Sequence, residues 1–191
     1  MTLSHLDVSS RSMYAIVRPG SAFAGTLAEL LFAADRSYML ELLSNPEDGP
    51  NIHLSDANFG LYPMCHGQSR LTNRFYGAPE RIDELRELVG SSIPSGEAYD
   101  LGLVTFAPDD IDWDDEVRLA IDERVSLSPD ALTGMEANLR FPGPESMGSR
   151  VFGRLSAWQN WIFIRPNAVG TSGALKLFGS GKRADFDKKR V

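Results

Sequence analysis

Gly20-Ser-Ala-Phe-Ala-Gly-Thr-Leu-Ala-Glu-Leu-Leu-Phe-Ala-Ala-Asp35 is the stretch whose reading decides the fold. Ahead of it, Met13-Tyr-Ala-Ile-Val17 is a short apolar run closed by Arg18-Pro-Gly20, which reads as a buried strand stopped by turn chemistry. Behind the small residues Ala24-Gly25-Thr26 comes a run of good helix formers over residues 25–35, with one acid, Glu29, among apolar neighbours. A strand, a tight turn and a helix start aim backbone N–H groups and the positive end of a helix dipole at one point. That layout suits an oxyanion pocket with an acid or base at hand. The plain alternative for Glu29 is a helix-surface acid, but Leu27, Leu30, Leu31 and Ala33 leave it little polar face.

Outward from this stretch, strands and helices continue to alternate. Residues 12–18 form the first strand and Ser37-Tyr-Met-Leu-Glu-Leu-Leu43 a second, followed by the loop Asn45-Pro-Glu-Asp-Gly-Pro50. Asn51-Ile-His-Leu54 reads as a short strand. Helices are predicted over 67–76, with Leu71 and Phe75 on one face, and over 80–89, each closed by a glycine. Pro94 to Gly102 reads as a short helix capped by Ser95, and Leu103-Val-Thr-Phe106 as a strand. The pattern is α/β. From Asp112 it becomes helical, with Val117, Ala120, Ile121 and Val125 on one face. Ser128-Pro129 starts a helix with Leu132, Met135 and Leu139 inward, and Val151, Leu155, Trp158 and Ile162 stripe another that must stop by Arg165-Pro166. This gives a flexible polar start over 1–11, an α/β core over 12–127 and a helical packing segment over 128–191.

Composition narrows the function classes. At 191 residues with 42% hydrophobic content, the chain has a real core and one domain, or one domain plus a tail. A net charge of −7 and a pI near 5.0 argue against nucleic acid or an anionic membrane as partner. The single Cys65 excludes a disulfide framework and fits a reducing, cytoplasmic setting. No apolar run is long enough to span a bilayer, and the polar start lacks the order of a signal peptide. The basic tail from Lys182 to Arg190 is too short and mixed for a nucleic-acid segment.

Four generic motifs fail on their own residues. Gly179-Ser-Gly-Lys182 lacks the first glycine and the Ser/Thr of a phosphate loop. Asp110-x-Asp112-x-Asp114 has Asp115 where a calcium loop needs glycine and Ile121 where it needs glutamate. Gly67-Gln-Ser-Arg-Leu71 lacks the second glycine of a nucleophile elbow. Cys65-His66 with His53 lacks a second cysteine, and adjacent residues on an extended segment point apart, so no metal site is expected. Asp56, ahead of Ala57-Asn58-Phe-Gly60, is by default a turn-forming aspartate.

Phe23-Ala-Gly-Thr-Leu-Ala-Glu-Leu-Leu-Phe-Ala-Ala-Asp35 resembles the crotonase (enoyl-CoA hydratase/isomerase) signature of small residues, an acid and a helix ending in aspartate. Asp56 to Leu71, with Gly60, Pro63, Gly67 and Arg70-Leu71, is similar to that family's second motif, and Ser95 to Val104 to a later one. Longer strings resemble the C-terminal half of the benzoyl-CoA-dihydrodiol lyase family. They are Asp109 to Arg118, Ser128 to Phe141, Phe152 to Phe163 and the ending from Arg165.

The resemblance implies a partial crotonase-type ββα spiral followed by a C-terminal helical segment. It implies a CoA-thioester substrate, with ring opening of oxidised benzoyl-CoA to an unsaturated adipyl-CoA semialdehyde plus formate, and no cofactor besides the substrate's CoA. Residue by residue, it places Thr26 as a backbone oxyanion donor, Glu29 and Asp56 as the two catalytic acids, and Gly25 and Gly60 at the substrate. The triple glycine of the family is here Gly25-Thr26-Leu27, which tightens the pocket, and Asp56 is one methylene shorter than the usual glutamate. An N-terminal half carrying the main active site is expected upstream. Three readings follow: a lyase chain, a non-catalytic oligomerisation half, or a generic enoyl-CoA hydratase/isomerase. A homo-oligomer, or pairing with the missing half, is expected in each.

Overall fold

The computed structural model describes residues 2–187, which divide into two compact units. The first comprises residues up to Ser9 and Met13–Ile121. Strand β1 (Tyr14–Val17) alternates half-buried and buried side chains and pairs in parallel with β2 (Arg36–Met39), with Tyr14 opposite Arg36 and Val17 opposite Met39. Parallel pairing requires a crossover. Here it is the 3-10 turn Gly25–Leu27 running into helix α1 (Ala28–Ala33). Leu31 of α1, Val17 and Met39 are fully buried, so strand, helix and strand share one core with Leu54, Leu71, Leu85 and Leu103.

Strand β3 (Asn51–Ile52) pairs antiparallel with β4 (Ile93–Pro94), and a single parallel bridge, Ala24 to His53, joins its end to the turn before α1. Between β3 and β4 run the 3-10 turn Asp56–Phe59 and helices α2 (Arg70–Arg74) and α3 (Arg81–Glu87). The Ser69 hydroxyl accepts the Thr72 N–H at 3.0 Å and caps α2.

Three local expectations change. Residues 2–8 form a 3-10 helix rather than a flexible start, because Asp7 near its end is buried against Arg70. Helix α4 (Ser95–Asp100) is present, but its N-cap is Pro94. Ser95 instead donates its hydroxyl to the Met39 and Leu40 carbonyls at 3.2 and 2.8 Å, fastening α4 to the end of β2. Residues 103–106 form no strand. Ser37 and Thr105 exchange bonds through their hydroxyls, with Ser37 N–H to Thr105 Oγ1 at 3.1 Å and Thr105 N–H to Ser37 Oγ at 3.0 Å. Beside them, the Thr105 and Phe106 N–H groups both donate to the Ser37 carbonyl, at 3.1 and 3.0 Å, and the Met39 N–H donates to the Phe106 carbonyl at 2.9 Å. The pairing thus narrows to one parallel bridge between Phe106 and Tyr38, whose rings stack 5.0 Å apart.

Helix α5 (Trp113–Ser126) contains the boundary between the units. The second unit, residues 10–12 and 122–191, holds α6 (Pro129–Leu139), a helical run of α7 (Met147–Ser149), a π-helical segment Arg150–Leu155 and α8 (Ser156–Phe163), then α9 (Pro166–Val169) and α10 (Ala174–Leu177). The striped helix does stop before Arg165-Pro166. The inward face of α6 is not the expected one. Asp130, Gly134 and Glu136 are buried, whereas Met135 and Leu139 are exposed. Charge pairing explains the reversal. Asp130 accepts from Arg165 Nε at 3.3 Å and Asn167 Nδ2 at 2.9 Å, and Glu136 pairs with Arg124 and accepts from Ser12. Gly134 lets α8 approach, since a Cβ there would lie 3.1 Å from Ile162 Cδ1. On α5, Ala120 is buried while Ile121 and Val125 are exposed. Residues 188–190 of the basic tail lie outside the described residues.

Candidate active site

Glu29 enters the core by the geometry of α1. Its neighbours Leu27 and Leu30 face outward, and the carboxylate is turned inward, 1% exposed. A buried carboxylate must find donors for both oxygens. Oε1 accepts from Asn58 Nδ2 at 2.7 Å and Oε2 from Arg70 Nη1 at 2.9 Å. Arg70 is itself 1% exposed and branches further. Nη1 also reaches the Tyr62 carbonyl at 3.2 Å, and Nη2 reaches Asp7 Oδ1 at 2.7 Å and the Leu3 carbonyl at 2.9 Å. Among the described residues, Arg70 Nε is a buried N–H without a protein partner. The second oxygen of Asp7 accepts the Cys65 N–H at 3.0 Å.

This network sits behind a cavity of about 470 Å³ lined by Leu3, Thr26, Leu61, Tyr62, Met64 and Cys65 among others. Three of those lining residues, Leu3, Tyr62 and Cys65, have backbone groups bonded to Arg70 or Asp7. The buried ions therefore hold the cavity wall from behind. The volume falls within the range of small-molecule pockets, and the lining is apolar with a few polar groups.

The residues singled out from sequence divide around this cavity. Thr26 lines it, and its hydroxyl lies 3.0 Å from the Tyr62 phenol. Gly25 adopts φ +49° just before Thr26; its N–H donates to the His53 carbonyl at 2.9 Å, and its own carbonyl accepts from Asn58 Nδ2 at 2.8 Å. Both polar groups are thus used within the protein, and Gly25 contributes conformation. Gly60, at φ +146°, turns the chain out of the 3-10 segment and into the wall beginning at Leu61. Asp56 is exposed at the start of that 3-10 segment, whereas Glu29 lies beneath the surface. Asn58 is what links the two motifs, since its amide bonds to Gly25 and Glu29 while its Oδ1 accepts the Ser55 N–H at 3.0 Å.

Asp7, Asn58 and Arg70 carry the site's architecture, and sequence reading assigns a role to none of them. Arg70 stands beside the core residue Leu71 with nothing to mark it as inward. The one available signal is that Glu29, set among apolar residues, needs a cation, and Arg70 belongs to the second crotonase-like motif. Among the described residues, no group of three or more His, Cys, Asp or Glu could hold a metal ion, and no helix is long and apolar enough to cross a membrane.

No family model matches the chain. Over 190 residues, 100% of this chain, it is 59% identical to benzoyl-CoA-dihydrodiol lyase from Aromatoleum evansii. The chain spans 34%, about a third, of that relative's own length. Among solved structures it is similar to an enoyl-CoA hydratase/isomerase from Marinobacter aquaeolei, with a TM-score of 0.66 and 19% identity over 96% of this chain and 63% of that one. It is also similar to one from Mycobacterium paratuberculosis, with a TM-score of 0.64 and 12% identity over 95% and 63%. At such identities the structural likeness is one of fold. The chain therefore has the crotonase-type fold of the enoyl-CoA hydratase/isomerases and is similar, along its whole length, to one third of benzoyl-CoA-dihydrodiol lyase.

Proposed function

We propose that this chain serves the ring opening of oxidised benzoyl-CoA to an unsaturated adipyl-CoA semialdehyde, with release of formate. The observation that carries the reading is 59% identity sustained over 190 residues to a benzoyl-CoA-dihydrodiol lyase. The cavity beside Thr26 supports it, being large enough for the acyl end of a thioester. In this reading the Thr26 backbone N–H faces the thioester oxygen, Glu29 and Asp56 are the acid pair, and Gly25 and Gly60 shape the approach. The CoA of the substrate is the only cofactor moiety involved.

A second reading is favoured by Glu29 itself. Both of its oxygens are bonded and its side chain is 1% exposed, which suits an anchor of the fold better than a proton carrier. The chain would then be a structural and oligomerisation part of the lyase. The strongly exposed Phe152, Ile164 and Phe178 support self-association in either reading.

Calorimetric titration with benzoyl-CoA, against free CoA, separates the readings. Micromolar binding to benzoyl-CoA, together with formate release from the ring-oxidised thioester that is lost in Asp56→Asn, is the expected result for a lyase chain. Cys65 lines the cavity and is the only cysteine in the chain, so slowed alkylation of its thiol places the bound ligand. Absence of binding, alongside oligomers in light scattering, leaves the structural reading.

A further inference from the structure

The Thr26 and Tyr62 hydroxyls meet at 3.0 Å, both residues line the cavity, and either oxygen can be the donor. Two hydroxyls carry two protons, and their mutual bond uses one. The other is left to donate elsewhere without breaking the pair. If Thr26 donates to Tyr62, the phenol donates outward, and the chain of two bonds polarises the outer one. A phenol is also a stronger donor than an aliphatic alcohol. The position of Tyr62 is fixed from behind, because its carbonyl accepts from the buried Arg70 Nη1 at 3.2 Å. The remaining lining is mostly hydrocarbon, from Leu3, Leu61, Pro63 and Met64. The Ser4 hydroxyl and the Cys65 thiol also line it. Beside an aliphatic hydroxyl and a weak thiol donor, the backed phenol is the one best suited to an acceptor oxygen on an otherwise apolar group.

We propose that the Thr26–Tyr62 hydroxyl pair is the donor that binds and polarises the thioester carbonyl oxygen of an aromatic acyl-CoA, with Tyr62 as the contacting residue. The inference rests on the acyl-CoA reading above and adds a side-chain donor to it. Arg70 is the positioning residue for this donor.

The test uses the full chain with benzoyl-CoA labelled with carbon-13 at the thioester carbonyl. Infrared difference spectra and calorimetric titration are recorded for the unaltered chain, Tyr62→Phe and Thr26→Ser. In the unaltered chain and in Thr26→Ser, the bound carbonyl band moves to lower frequency. Tyr62→Phe loses most of that movement and binds benzoyl-CoA about three- to tenfold more weakly, the equivalent of one neutral hydrogen bond, with affinity for free CoA unchanged. Circular dichroism checks that Tyr62→Phe is folded, which its half-buried position favours. If Tyr62→Phe keeps both the band position and the affinity while the unaltered chain still prefers benzoyl-CoA to CoA, the hydroxyl pair is not the donor and the acyl-CoA reading stands. Loss of the movement in Thr26→Ser also overturns the pair, since that substitution keeps the hydroxyl. If the unaltered chain binds neither ligand, or both alike, the acyl-CoA reading and this inference fall together.

Discussion

Replacing Arg70 by Met keeps an unbranched apolar stem but no guanidinium, and removes the only cation in the buried cluster of Asp7, Glu29 and Arg70. Two carboxylates at 4% and 1% exposure then remain without their counter-charge, and the Leu3 and Tyr62 carbonyls lose a donor. Removing one partner from a buried pair costs about 3–5 kcal/mol, chiefly because the remaining charge stays desolvated. For a chain of this length that corresponds to a fall in thermal midpoint of roughly 6–20 °C. The assay is urea unfolding followed by circular dichroism, with Arg70→Met beside the triple variant Asp7→Asn, Glu29→Gln, Arg70→Met. The triple variant is expected to lose less than the single one, because it no longer buries unpaired charge. An Arg70→Met chain within about 1 kcal/mol of the unaltered protein would refute the reasoning, since surface ion pairs have that worth.

Further outcomes follow from the same contacts. Glu29→Gln is expected to destabilise by about 1–3 kcal/mol in urea unfolding, because one amide hydrogen-bond donor must then face Arg70 or Asn58, which are donors themselves. Gly25→Ala is expected to cost about 1–2 kcal/mol, since φ +49° is unfavourable for an L side chain and the new Cβ would sit 3.3 Å from Ser55 Oγ. Gly134→Val on α6 should lower the thermal midpoint through overpacking against Ile162 and Trp158, by about 1–3 kcal/mol when read as unfolding free energy.

The backbone plan was legible where apolar periodicity and turn chemistry agree, as in Tyr14–Val17, Ala28–Ala33 and Arg36–Met39. It failed where hydroxyl bonds join the backbone pairing and cut it down to a single bridge. Nothing in Leu103-Val-Thr-Phe106 shows that Thr105 bonds Ser37 through its hydroxyl. It failed again on α6, where a helix buries two acids and exposes Met135 and Leu139, since the counter-ions Arg124 and Arg165 come from distant sequence. The candidate site shows the same division. Glu29 stood out against its neighbours, but which cation answers it is a matter of tertiary structure. Asp7 lies in a polar stretch that local composition describes as unstructured.

The branching of Arg70 has a consequence for the order in which the first unit assembles. Its bonds to Glu29, Asp7 and Leu3 span sequence separations of 41, 63 and 67 residues, against 8 for its bond to Tyr62. Closing a loop some eight times longer costs roughly 2 kcal/mol more in chain entropy. The local bond can form with helix α2, whereas the guanidinium is fully sheltered only after residues 2–8 have docked. The cavity wall from Tyr62 to Cys65 is then among the last features to become rigid. Hydrogen exchange reads this directly, because among the described residues the Cys65 amide is held by Asp7. Its protection should appear later in refolding than that of the Phe75 amide, which is bonded within reach of its own helix.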